Sequence, residues 1–158
     1  MDELKSAARR VQAAIDAKGL GGAVRHMAQS TRTADEAAAA CGCAVGQIVK
    51  SLVFRGAKSG KPYLLLVSGA NRVNEKAVAG LIGEALKRPD ADYVRGLTGF
   101  AIGGIPPLGH DTALETFMDE ALLAFAEVWA AAGTSDAVFA VAPARLAEAT
   151  GAKIIVVG

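Results

Sequence analysis

The chain has 158 residues, a length suited to one domain, and is 52% hydrophobic and 21% charged. That balance supplies a packed core and excludes a disordered chain. A formal net charge of +1 excludes the broad basic footprint of a protein that coats a nucleic-acid duplex, and leaves contact with a short piece of one.

Aromatic residues are only 5%, so Ala, Val, Leu and Ile must fill the core. The charged start, Met1 to Arg10, lacks the apolar run of a secretory signal, and no apolar segment approaches the length of a membrane span. Both point to a cytoplasmic protein. Leu4, Ala7, Ala8, Val11, Ala14 and Ile15 recur at helical spacing over residues 2–17, and Gly19 and Gly21 stop that helix. Residues 23–27 read as a short strand. Thr33 and Glu36 have the spacing of a capping box ahead of an alanine-rich helix that ends near Gly42. Residues 48–55 and 62–67 read as strands joined by the turn Ala57-Lys-Ser-Gly60, a hairpin.

Asn74 caps a helix carrying Val78, Leu81 and Ile82, and residues 85–88 form a short strand. Pro89 opens another helix, with Tyr93, Val94 and Leu97 on one face and Gly99 near its end. Strands follow at 114–118, 127–131 and 137–141. Pro143 starts a helix to Thr150, Gly151 ends it, and 153–157 is a last strand. Strands and helices interleave without strict alternation. That predicts a mixed sheet flanked by helices and not a doubly wound parallel one.

Two segments stand apart. Gly99-Phe-Ala-Ile-Gly-Gly-Ile-Pro-Pro-Leu-Gly-His110 packs four glycines and two prolines into twelve residues. Glycines let the backbone approach a ligand and prolines fix the walls, so such a loop is either a rigid structural corner or a cradle that aims N–H groups without a reactive side chain. It is not a dinucleotide fingerprint, because it follows a predicted helix. Gln47-Ile-Val-Lys-Ser-Leu-Val-Phe54 places one lysine in an apolar strand, where it reads either as a solvated side chain or as a strand-edge lysine that points into a cleft to hold an anion or a hydroxyl. Arg55, Lys58, Lys61, Arg72 and Lys76 offer a modest basic rim, or scattered surface charge. His110 reads either as a general base or as a capping side chain. Cys41 and Cys43 form a lone C-x-C with too few ligands nearby for zinc, and read as two small, semi-buried thiols. No nucleophile with its base stands out, so water or the substrate itself must supply the attacking group.

The lysine segment and the glycine–proline loop, at this spacing, resemble the YbaK/prolyl-tRNA-synthetase-associated editing domain family. The resemblance spans nearly the whole chain, including Thr33 to Ala38, Val73 to Lys76 and Leu146 to Val157. It implies a single α+β domain over 1–158, with a mixed, mainly antiparallel curved sheet flanked by helices. It also implies a free-standing hydrolase that deacylates mischarged tRNA, removing a small amino acid such as alanine or cysteine from tRNA(Pro). The partners it implies are the acceptor end of that tRNA and an aminoacyl-tRNA synthetase. Lys50 takes the position of the family's pocket lysine at the terminal adenosine, and Gly103 to Pro107 that of its G-x-x-x-P loop. The candidate site is Lys50, Gly103 and Gly104 as catalytic positions. Ser51, Arg72, Ile105, Pro106, Pro107 and His110 are the substrate-binding positions, with no metal and no cofactor. In the cysteine-removing branch a serine precedes the loop's last proline and the substrate thiol attacks its own ester. Pro106 at that place leans toward alanine. A non-catalytic tRNA- or synthetase-binding module and a small-molecule ester or amide hydrolase stand as the alternatives.

Overall fold

The computed structural model describes residues 2–158, with side chains from residue 6 onward. Helix α1 (Asp2–Ala17) buries the predicted stripe. Val11 and Ile15 are fully covered, and Ala7 and Ala14 pack beside them. Leu4 lies outside the described side chains. The strand read over 23–27 narrows to β1 (Arg25–His26), and α2 (Ala34–Cys41) begins at its predicted cap. Thr33 Oγ1 accepts from Glu36 N at 3.2 Å. Glu36 reaches back to the Thr33 hydroxyl at 3.0 Å and not to its N–H.

The predicted hairpin forms from β2 (Ile48–Gly56) and β3 (Pro62–Ser68), in register from Val49↔Ser68 to Arg55↔Pro62. A carboxylate from outside the hairpin closes its turn. Glu84 accepts from the N–H groups of Lys58 and Ser59 at 2.9 Å each, and from the hydroxyls of Ser59 (2.6 Å) and Tyr63 (2.7 Å). Gly56 lies against that carboxylate with no room for a Cβ. These donors favour the charged form and pull the Glu84 pKa from 4.5 down to about 2. A depressed carboxyl pKa stabilises the fold above the unfolded value and loses that effect as pH falls through the folded one. Glu84→Gln is therefore expected to lower Tm at neutral pH, with the gap to the parent closing between about 4.5 and about 2. Thermal melts across that range measure it.

The chain continues through α3 (Glu75–Ile82), β4 (Leu86–Lys87) and α4 (Ala91–Thr98). Val78 is fully buried, whereas Leu81 turns outward at 59% exposure. Pro89 does not open α4. Asp90 is its cap, accepting from Tyr93 N at 2.8 Å, because a side-chain acceptor satisfies a first-turn N–H and proline cannot. Then come β5 (Glu115–Asp119), β6 (Val128–Ala131), β7 (Ala137–Val141), α5 (Pro143–Thr150) and β8 (Lys153–Ile155). The last strand is shorter than predicted, and the Val157 carbonyl instead accepts from Asn74 N at 2.6 Å. Helices α2 to α5 each stop at a left-handed glycine cap.

All eight strands share one mixed sheet in the order β1-β7-β6-β2-β3-β5-β8, with β4 added to β2. Four pairings are antiparallel (β1–β7, β2–β3, β2–β4, β6–β7) and three parallel (β2–β6, β3–β5, β5–β8). β3 is central, and its run Tyr63 to Val67 is buried throughout because both faces of the sheet are covered. Period-two alternation sorts β2. Val49 and Val53 face the main core with Val11, Ile15, Val94, Phe100, Phe139 and Leu146. Leu52 and Phe54 face the second core with Leu65, Val67 and Val78.

The glycine–proline loop lies against α1. Arg10 donates to the Gly109 carbonyl at 3.2 Å, pairs with Asp111 at 2.6 Å, and sits 4.6 Å from the centroid of the Phe100 ring. Ala14 Cβ lies close below Gly109, and Ala7 below Gly133.

Candidate functional site

β6 leaves β2 just after Val49, and a cavity of about 380 Å³ opens there. Its floor is β2 from Ile48 to Leu52 together with Trp129 to Ala131 of β6. One wall is the entry to α2, from Thr31 to Ala34. The other is Ile102, Gly103 and Ile105 of the glycine–proline loop. Two distant segments of the sequence thus meet across one hollow.

Lys50 lines the cavity, and its Nζ donates to the Asn71 carbonyl at 2.5 Å. Behind it lies Asp119, 2% exposed, which accepts from Ser68 N and Asn71 Nδ2 at 3.0 Å each and from Ala121 N at 3.0 Å. Burial lowers the Lys50 pKa, the Arg72 charge lowers it further, and Asp119 opposes both. Ser51 also lines the cavity, and its Oγ is buried without a hydrogen-bond partner among the described residues. A buried hydroxyl left unpaired is costly.

Gly103 reaches the cavity with φ +99°, a left-handed conformation open to glycine, and a Cβ there would come within 3.0 Å of Arg32 Cγ. Gly104 does not line it. Its N–H closes a turn on the Ala101 carbonyl (3.2 Å), its carbonyl accepts from Gly133 N (2.9 Å), and it packs on the Thr134 backbone. Ile105 lines the cavity, whereas Pro106 and Pro107 are buried behind it. His110 also stands behind the loop. Its Nε2 donates to the Pro106 carbonyl at 2.7 Å, and its ring meets Phe100 edge-on at 6.2 Å. Burial pushes its pKa down, so the neutral ring braces the loop. Arg72 is exposed and borders a separate hollow beside Asn71 and Asp119. The structure therefore joins Lys50, Ser51, Gly103 and Ile105 at the cavity, and sets Gly104, Pro106, Pro107, His110 and Arg72 around it.

The basic rim disperses. Lys61 pairs with Glu115 at 2.8 Å, and Arg55 turns to the Gly60 carbonyl at 3.3 Å. Sequence reasoning missed Arg32, whose stem packs on Gly103, and Trp129, which Arg25 overlies at 5.4 Å. The signal for Arg32 was its place between Thr31 and the capping Thr33, where α2 begins. Cys41 and Cys43 are free and half-buried, and burial raises the Cys41 pKa to about 11, which leaves it a poor nucleophile. Among the described residues no three His, Cys, Asp or Glu side chains gather as a metal site requires, and no helix is long and apolar enough to cross a membrane.

The cavity holds two cations and three hydroxyls, and neither thiol, imidazole nor carboxylate lines it. Such a lining can position and polarise a bound group, and supplies neither a thiol nor an imidazole to attack it. The profile of the aminoacyl-tRNA editing domain family matches residues 28–149, which include every wall of the cavity. The chain belongs to the aminoacyl-tRNA editing domain family. A crystal structure of a protein proposed as a trans-editing enzyme for prolyl tRNA synthetase is 51% identical, with a TM-score of 0.89 over 95% of each chain. The structure of hypothetical protein APE2540 is 32% identical, with a TM-score of 0.87 over 94% of this chain and 98% of that one. A proline–tRNA ligase of Bacillus licheniformis is 32% identical over 108 residues, which are 68% of this chain and 18% of the ligase.

Proposed function

We propose that this chain is a free-standing deacylase that hydrolyses the ester of a mischarged aminoacyl-tRNA, with a small amino acid such as alanine or cysteine on tRNA(Pro) as substrate. The observation that carries the reading is the cavity between Lys50 and Gly103. It supplies charge and a close-approaching backbone, and none of its hydroxyls has an imidazole or carboxylate beside it in the lining to activate it. An aminoacyl ester is already activated. Water attacks its carbonyl carbon, the bond to the ribose oxygen breaks, and that oxygen takes up a proton. Positioning and electrostatic stabilisation of the developing oxyanion supply most of what such a step needs. Lys50 would hold the terminal ribose, and the Gly103 backbone would face the ester carbonyl. A net charge of +1 suits a protein that grips the acceptor end and leaves the rest of the tRNA free. A prolyl-tRNA synthetase would be a natural partner, since the ligase carries a related segment.

The test is hydrolysis of a panel of aminoacyl-tRNAs. Alanyl- and cysteinyl-tRNA(Pro) are expected to lose their amino acid well above the buffer rate, and prolyl-tRNA(Pro) more slowly. Discrimination among small side chains is worth about 1–3 kcal/mol, so the preference should be graded. Tight binding of the whole panel without turnover would instead mark a binding module. Turnover of small esters alone would mark a small-molecule hydrolase.

A further inference from the structure

Lys50 stands in none of the ion pairs among the described residues, and its ammonium donates to a neutral main-chain carbonyl, that of Asn71. The loop from Ser68 to Asn71 therefore sets where that charge points. A main-chain turn closes the loop, with Asn71 N–H donating to the Ser68 carbonyl at 2.9 Å. Its start is tied to neighbouring backbone. Gly69 N–H donates to the Ile48 carbonyl at 2.7 Å, and Ser68 Oγ to the Gly46 carbonyl at 2.8 Å. Its far end, which carries the carbonyl that Lys50 meets, is held by a carboxylate. Asp119 Oδ2 accepts from Ser68 N–H and from Asn71 Nδ2 at 3.0 Å each, so one oxygen bridges both ends of the turn.

Asp119 is 2% exposed at the end of β5, where a carboxylate persists only with donors around it. Its other oxygen, Oδ1, accepts from Ala121 N–H at 3.0 Å and caps the short 3-10 turn that follows. Capping alone calls for no buried charge, since serine or asparagine serves as well. The bridge to the Lys50 loop is what the cap leaves unexplained.

Resting on the editing reading, we propose that Asp119 is a positioning residue of the reaction, which holds the Asn71 carbonyl and through it aims the Lys50 ammonium into the cavity. An ammonium has three donors. Asn71 takes one and leaves two for the substrate. A carboxylate in direct contact would compete with the substrate for the lysine, whereas a neutral carbonyl fixes its direction and leaves the charge available. The Asp119 charge also favours the ammonium from behind, against the repulsion of Arg72. The other charged groups nearby are Glu120, in the hollow beside Asn71, and Arg32, on the α2 side of the cavity.

Two variants separate this role from support of the fold. Asn71→Ala keeps the main-chain carbonyl and removes the amide that Asp119 holds. Asp119→Asn keeps the shape and removes the charge. Each is expected to slow single-turnover deacylation by about tenfold, as one misplaced hydrogen bond would. Neither should slow the reaction further once Lys50 is already methionine, because both act through its ammonium. An equal loss in the Lys50→Met protein, or full activity of both variants, overturns the proposal. A second readout needs no catalysis. The Lys50 side chain is titrated by NMR, its signal assigned by its absence from Lys50→Met. Both variants are expected to lose the ammonium at a lower pH than the parent, Asp119→Asn through the missing attraction and Asn71→Ala through the loosened carbonyl. Melts report the fold of each, and Asn71→Ala carries both tests if Asp119→Asn does not fold. No turnover by the parent overturns the editing reading, whereas an unmoved titration overturns the link from Asp119 to Lys50, so the two failures are distinguishable.

Discussion

Lys50→Ala is expected to slow deacylation by roughly 10²–10³-fold, the range seen when a preorganised electrostatic group is removed from a reacting site. Its Tm should stay near that of the parent. Lys50 is half-buried on β2, belongs to no core cluster, and its ammonium donates to a main-chain carbonyl of the loop after β3. Lys50→Met keeps the apolar stem in the strand and removes only the charge, so it should lose as much activity as the alanine variant. The charge also has a pH signature. Burial and the Arg72 charge lower the Lys50 pKa, so the ammonium is lost at a lower pH than an ordinary lysine. Activity that depends on it should fall on the alkaline side before a free lysine would titrate. Single-turnover rates and melts on all three proteins measure both effects. Unchanged turnover in a folded variant would remove Lys50 from the site.

The two adjacent loop glycines should part company. Gly103→Ala places a methyl within 3.0 Å of Arg32 Cγ, at φ +99°, on the wall of the cavity. Its expected effect is a loss of roughly 10²–10³ in the bound-state rate with RNA affinity little changed, since the methyl displaces the ester and not the RNA grip. Gly104→Ala places a methyl 2.7 Å from Thr134 Cα and N, against backbone that cannot turn away. Its expected effect is structural: a lowered Tm, typically by the equivalent of about 1–3 kcal/mol, with activity falling only as the fold does. The left-handed φ at Gly103 also strains an alanine, so both variants melt lower, and a Gly104→Ala variant that keeps the parent's Tm would refute the division.

The sheet was legible because its signals are local. The alternation in β2, the unbroken apolar run of β3, and the caps at Thr33, Asn74 and Gly151 each act over a few residues. Lys50 and Gly103 were legible because each is unusual where it stands, a charge in an apolar strand and a glycine among prolines. What escaped is set by long-range packing. Arg32 and Trp129 are unremarkable in sequence and reach the cavity only because α2 and β6 flank β2 in space. Gly104 and His110 share a segment with Gly103, but local sequence cannot say which side of a loop faces the hollow and which faces the protein. Pro89 carried the opposite difficulty. Its fixed φ suits a helix start, yet Asp90 takes the cap.

Helix α1 lies outside the span shared with the family profile, yet it backs the loop that forms the cavity's wall. Arg10 binds Gly109 and Asp111 on one side, and His110 holds the Pro106 carbonyl from within, so the loop is braced both by α1 and by its own histidine. The mouth of the cavity is thus a gauge set before any substrate arrives. On the proposed reading, a small aminoacyl group would enter without reshaping it, and a bulky one would press on the loop that the N-terminal helix backs. Selection by such a gauge is sensitive to residues that never touch the substrate. Changes along the inner face of α1 should therefore shift which amino acids are removed.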